Sequence, residues 1–153
     1  MTAIEERVLN QVLFAFRDVR LGDGTGLWQG QVIDEMWIRE AQLARDEKQD
    51  WAAIPLEDLE RCSSSLSFFD ADGMRFHLPA YLAMDLRGSF GGFYILFSLT
   101  YFEDGNMSKF AKLNDDQRRA VREYLLLRLA DPDEEFNRPA IERALQDYWT
   151  DEQ

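Results

Sequence analysis

Apolar residues recur at three- and four-residue spacing in four places along the chain, and each recurrence predicts a helix. In the first, Ile4, Val8, Val12, Phe16 and Val19 form a stripe, with Glu5, Glu6 and Arg17 elsewhere on the cylinder. Thr2 is placed as its N-cap, with Glu5 three residues later to close a capping box. The glycine-rich run Gly22-Asp23-Gly24-Thr25-Gly26 then breaks the chain. Thr25 caps a second helix, on which Ile33, Met36, Trp37, Ala41 and Ala44 share a face while Asp34, Glu35 and Arg39 point away. The third carries the fullest set of helix signals. Asn114 is the N-cap, Gln117 closes the box, and Asp115 and Asp116 lie at the positive end of the helix dipole. Ala120, Val121, Tyr124, Leu125 and Leu129 are its buried stripe, and Asp131-Pro132-Asp133 stops it. The fourth has Asn137 as cap, Pro139 in its first turn, and Ile141, Leu145, Tyr148 and Trp149 as its stripe.

Between these segments periodicity is weaker and turn chemistry decides. Asp46 to Asp50 reads as a loop, and Pro55 suits the first turn of a short helix from Leu56 to Cys62 that three serines end. Leu66-Ser67-Phe68-Phe69 and Met74-Arg75-Phe76-His77 flank Asp70-Ala71-Asp72-Gly73. Two short aromatic runs around an Asp-Gly turn predict a β-hairpin, with Leu66, Phe68, Met74 and Phe76 facing the core. Pro79 then starts a helix through Met84, with Gly88 as its stop. Phe90 to Phe102 fits a buried strand or a buried helix equally, because an unbroken apolar run has no period to read. Glu103 to Asn106 reads as a turn. The fold class that follows is α+β and α-rich: about five helices with one small hairpin, in one globular domain over residues 1–153. Trp37, Phe68, Phe76, Leu82, Val121 and Leu125 are expected in the core.

Charge changes this picture more than size does. The chain has 17 basic and 29 acidic residues, a net charge of −12, with 13% aromatic residues that argue against disorder. Half of that net charge falls between Asp131 and Gln153, which holds eight acids and two bases. Cys62 to Phe102 carries only Asp70, Asp72, Arg75, Asp85 and Arg87, and so reads as interior. An acidic field of this size repels nucleic acid and anionic membranes and attracts basic proteins, besides keeping the chain soluble. The N-terminus lacks signal-peptide character, and the longest apolar run is about half the ~20 residues a membrane helix needs. The cytoplasm is the expected location, where the Asn106-Met107-Ser108 sequon has no meaning.

Candidate chemistry is thin. Cys62 and His77 are each the sole residue of their kind, so no intramolecular disulfide can form and zinc ligation lacks donors. As a nucleophile and base they would need an exposed thiolate and a third, orienting group; the plainer reading is a small apolar Cys at a helix end and a His on a hairpin edge. Asp70 to Gly73 fails the calcium-loop spacing in either register. Gly22 to Gly26 lacks the Lys-Ser/Thr of a phosphate loop and reads as a helix connector. Asp34 with Glu35, Glu57 with Glu60, and Asp133 with Glu134 and Glu135 are carboxylate clusters that acid–base catalysis would need in an apolar pocket, and they read as solvated faces. Trp28, Trp37, Trp51 and Trp149 read as core, although one at a helix end would suit a partner anchor. No catalytic residue, metal site or cofactor is expected.

Trp51-Ala52-Ala53-Ile54-Pro55 together with the run from Leu66 through Leu78-Pro79-Ala80-Tyr81 resembles the central signature of a small bacterial family of unknown function. Lys112-Leu113-Asn114-Asp115-Asp116-Gln117 and the helix after it resemble that family's C-terminal half. The resemblance spans most of the chain and implies no catalytic residue. In size, acidity and implied bacterial origin the chain is also similar in type to immunity proteins that neutralise toxins.

The expectation is thus a non-catalytic cytoplasmic protein that binds a basic protein partner, in the manner of an immunity or antitoxin-like inhibitor. Asp131, Asp133, Glu134, Glu135, Asp147, Asp151 and Glu152 are the candidate contact residues. The rival expectations are a small enzyme using buried carboxylates and a structural accessory domain.

Overall fold

The computed structural model describes residues 1–35, 40–88, 93–102 and 106–151. Eight α-helices occur among them: α1 (Ala3–Ala15), α2 (Leu27–Asp34), α3 (Glu40–Leu43), α4 (Leu56–Arg61), α5 (Ala71–Leu86), α6 (Phe93–Thr100), α7 (Asp115–Leu129) and α8 (Arg138–Asp147). Four short 3-10 turns link them, and among the described residues there is no strand. The expected α+β class is therefore corrected to an all-helical one.

The expected hairpin is absent because Asp-x-x-Gly is also a helix start. Asp70 is extended, and its Oδ1 accepts the Gly73 N–H at 2.7 Å, an N-cap bond. Ala71 to Gly73 are the first turn of a 16-residue helix, not a turn between strands. Leu66 and Phe69 bury themselves from the preceding 3-10 turn, while Phe68, expected inside, stands 36% exposed. Pro79 lies within α5 instead of starting a helix. A proline there removes one backbone hydrogen bond, about 3 kcal/mol in an ordinary helix. Here the cost is offset by burial: every residue from Phe76 to Leu86 is buried. That continuous burial makes α5 the central helix and erases the periodicity that would have announced it. Gly88 closes it at φ +73°, a left-handed conformation that favours glycine.

Around this rod pack α1, α4 and the 3-10 turns at Trp51–Ala53 and Asn106–Phe110. α1 packs against α5 and α7, α7 also against α8, and α6 against α8. Thr2 caps α1 as expected, its Oγ1 accepting the Glu5 N–H at 3.1 Å, although the Glu5 side chain returns no capping-box bond, whereas Asn114 and Gln117 exchange both capping-box bonds at 2.8 and 3.0 Å. Val8, Val12 and Phe16 are buried as expected, but Ile4 at the head of that stripe is 55% exposed. Phe76, Leu82, Val121 and Leu125 are fully buried. Gly26, not Thr25, caps α2, and Ile33 points to solvent. Met36 and Trp37 lie outside the described residues, as do Phe90 to Gly92 and the expected turn at Glu103 to Gly105. Of Phe90 to Phe102, Phe93 to Thr100 form helix α6, and Tyr101 and Phe102 follow it in irregular structure.

The glycine-rich connector is docked rather than loose. Asp70 Oδ1 also accepts the Thr25 N–H at 3.0 Å, and a Cβ on Gly24 would come within 2.7 Å of Asp72 Cβ and 2.8 Å of the Gly73 nitrogen. Only glycine lets this loop lie directly on the start of α5.

Candidate interaction surface

Cys62 and His77 are both buried, which decides their chemistry. Burial pushes the Cys62 thiol up to about 12, so it stays protonated at neutral pH. His77 stacks flat on Phe69 at 4.4 Å and meets Phe76 edge-on at 5.0 Å. Its Nδ1–H donates to the Gly73 carbonyl at 2.7 Å, and Nε2 has no partner. Burial holds the imidazole down to about 4, against the opposing pull of the Gly73 carbonyl and the Asp70 charge. No hydrogen bond joins the two residues. His77 belongs to the inner wall of α5, not to a hairpin edge.

A pH dependence follows from His77. Its folded value lies below the ordinary ~6.5, so the unfolded chain binds the extra proton first. The stability this neutral imidazole contributes is complete above pH 6.5 and is lost as pH falls toward 4. Between pH 7.5 and 4.5 the parent should lose about 2.5 kcal/mol more than His77→Gln. Urea unfolding at each pH checks this; parallel curves for the two proteins would contradict it.

Two further carboxylates are buried and each is met by an arginine. Asp58 pairs with Arg45. Asp85 accepts from the Tyr124 hydroxyl and from Arg128 Nε at 3.1 Å, and Arg128 Nη2 lies 3.0 Å from the same carboxylate oxygen as an ion pair. Burial, then the Asp85 charge, raises the Tyr124 phenol well above its ordinary range. Asp46, whose carboxyl burial raises, accepts the Trp28 N–H at 2.7 Å and the Gln29 N–H at 3.4 Å, capping α2 from across a loop. These groups join elements together. Of the clusters noted in the sequence, Glu57, Glu60 and Asp34 are exposed, and Glu35 pairs with Arg61 at 2.8 Å. Trp28, Trp51 and Trp149 are buried.

The C-terminal acids separate into two groups. Asp131, Asp133, Glu134 and Glu135 gather in the 3-10 turn before α8, where Asp131 caps the Asp133 N–H at 2.9 Å and faces Arg128 at 3.6 Å. Asp147 ends α8 and Asp151 lies beyond it. Ten residues of helix, about 15 Å, lie between the groups. Glu152 is outside the described residues.

Between the two acidic ends runs an aromatic groove. One cavity of about 170 Å³ is lined by Phe97, Thr100, Tyr101, Asn137, Ala140 and Arg143. A second, of about 450 Å³, shares Thr100, Tyr101 and Arg143 and continues to Phe102, Met107, Asp147 and Tyr148. α6 supplies one wall and α8 the other. Trp149 holds them together, its Nε1–H donating to the Leu99 carbonyl at 2.8 Å. Phe97 stacks on Tyr101 at 4.8 Å, and Phe102 tilts against Tyr148 at 5.0 Å. Arg118 lies over the Tyr148 ring at 4.5 Å and donates to its backbone carbonyl at 2.9 Å, fixing that end. Phe97 and Met107 are nearly half exposed, and Phe136, beside the acidic turn, is 91% exposed. Sequence reasoning placed the acids but missed the groove. Phe136, an aromatic residue set among acids outside every apolar stripe, lines neither cavity and marks only the acidic turn next to Asn137.

A family model, the family of unknown function DUF6714, matches residues 5–153. The chain belongs to that family. No curated protein and no solved structure matches it. No helix among the described residues is long and apolar enough to cross a membrane.

Proposed function

We propose that this chain is a protein-binding domain whose docking surface is the α6–α8 groove with its two acidic ends. The occupant is a basic protein segment carrying an apolar or aromatic anchor. The observation that carries the reading is the order of residues at the head of α8: Asp133, Glu134 and Glu135, then Phe136, almost wholly exposed, then Asn137, which lines the aromatic groove. Protein interfaces combine such a ring-lined centre with a charged rim. Arg143 and Asp147 both line the larger cavity and offset each other in charge, so net acidity falls on Asp131 to Glu135 at one end and on Asp151 at the other, where it steers approach instead of opposing burial. The immunity-like inhibitor is the specific form of this proposal: occlusion of a basic partner requires binding but no catalytic group. The clusters expected of an enzyme give it less support, because Asp58 and Asp85 are each neutralised by an arginine on another element.

The test is affinity capture from a lysate of the source cells with the parent and with Phe136→Ser as baits. A protein of basic isoelectric point retained by the parent at low salt, and reduced at least ten-fold with Phe136→Ser, is expected; ten-fold corresponds to about 1.4 kcal/mol. Equal retention by both baits, or a retained protein that is acidic, would contradict the reading.

A further inference from the structure

One cleft runs against the acidic character of the chain and is basic. Arg17, Arg20, Arg75 and Lys112 line one cavity of about 430 Å³, with Asp18 and Asn114. Among the described residues its apolar linings are Ala15 and Val19. In a chain of net charge −12, four cations from three separated segments converging on one polar cavity is a local reversal of sign. Burial in the core does not require it, since Arg17, Arg20 and Lys112 are exposed.

The internal pairing leaves capacity unused. Asp72 stands between Arg75 and Lys112, accepting from Arg75 Nη2 at 3.1 Å and Lys112 Nζ at 2.8 Å, and thereby holds both at the cleft. Arg75 Nε is buried and has no acceptor. A buried donor without a partner is costly, and an anion's oxygen would relieve it after a small rotation of the guanidinium. Arg20 makes one long contact, 3.4 Å, to the Val19 carbonyl. Asp18 is 87% exposed and meets Arg17 at 3.5 Å, so it screens the cleft weakly. Counting Asp18 and Asp72, the cleft keeps two positive charges in excess. Guanidinium groups match phosphate oxygens in pairs, and the volume is that of a small-molecule site and much larger than one ion.

We infer that this cleft binds a phosphate dianion, free or carried as a small monoester, on Arg20, Arg75 and Lys112. The site is independent of the α6–α8 groove and can be occupied whether or not a protein partner binds there.

Amide chemical shifts of the full chain, followed while inorganic phosphate or glycerol phosphate is added at pH 7.5, test this, with sodium chloride at equal ionic strength as the control. Saturable shifts at residues 15–20, 72–75 and 112–117 are expected for phosphate and not for chloride. The monoester binding more tightly than phosphate would assign the ester as ligand, and the reverse order free phosphate; either supports the site. Arg20→Gln and Lys112→Gln should each weaken the dissociation constant at least ten-fold, and Arg143→Gln should leave it unchanged. Arg20→Gln removes only one long hydrogen bond, so its fold is preserved and its result stands alone. Shifts that do not saturate, that chloride reproduces, or that persist unchanged in Arg20→Gln would overturn the proposal.

Discussion

Replacing Arg128 with Met should lower the unfolding free energy by about 3–5 kcal/mol, the range for removing one partner of a buried ion pair. Asp85 is 8% exposed, and Arg128 meets it with an Nε hydrogen bond and an Nη2 ion-pair contact. The same guanidinium lies over the Tyr124 ring at 5.4 Å and meets Asp131 at 3.6 Å. Without it the Asp85 carboxylate keeps only the Tyr124 hydroxyl, in a site from which water is largely excluded. The pair joins α5 to α7, so its loss should register as global destabilisation in urea titration. A double variant, Asp85→Leu with Arg128→Met, should recover much of the loss, because an apolar pair does not strand a charge. A loss under about 0.5 kcal/mol in the single variant, the range of ordinary surface positions, would mean the pair is not buried in solution.

Leu125→Ala should cost about 2–5 kcal/mol, combining lost transfer free energy with the cavity left behind. Leu125 is fully buried on α7 beside Val121 and Tyr124, and α7 packs against both α1 and α8. A cavity there faces helices that are themselves anchored, so collapse around it is limited. Thermal and chemical unfolding of the variant measure the cost. A surface-like change under about 0.5 kcal/mol would show that α7 is rotated from the register its capping box and stripe imply.

How far the sequence discloses this fold depends on where each helix sits. α1 and α7 are half-buried, so polar residues mark their outer faces and caps mark their ends; Thr2, Asn114 and Gln117 do what their positions suggest. α5 is buried along most of its length, so it carries almost no polar face, and Pro79 divides it into two apparent pieces. Its start, Asp70 to Gly73, satisfies the rules for a hairpin turn and for an N-cap alike. Only the Thr25 and Gly73 amides that converge on Asp70 distinguish the two, and Thr25 is 45 residues away. Phe68 and Phe69 show the consequence: strand alternation sends Phe68 inward, whereas the 3-10 turn sends Phe69.

The two surface sites are legible to different degrees for the same reason. The acids around α8 are near neighbours in sequence, and composition alone marks them. The groove they flank needs α6, which lies about forty residues earlier. The basic cleft is built from residues 17–20, 75 and 112, each unremarkable in its own segment. Convergence of that kind is a property of packing, and no window along the chain contains it.

If the acidic ends of the α6–α8 groove steer a basic partner, their charge should matter for encounter and not for folding. Asp133, Glu134 and Glu135 make few contacts that folding needs, and exposed charges contribute little to stability. Replacing them with Asn, Gln and Gln should leave the melting temperature nearly unchanged. The decisive measurement is the association rate of the captured partner against ionic strength, for parent and triple variant. The parent rate should fall steeply with salt, and the variant should associate more slowly, with a flatter salt dependence and little change in dissociation. Identical rates and salt slopes for the two proteins would show that the acidic turn only solubilises the chain.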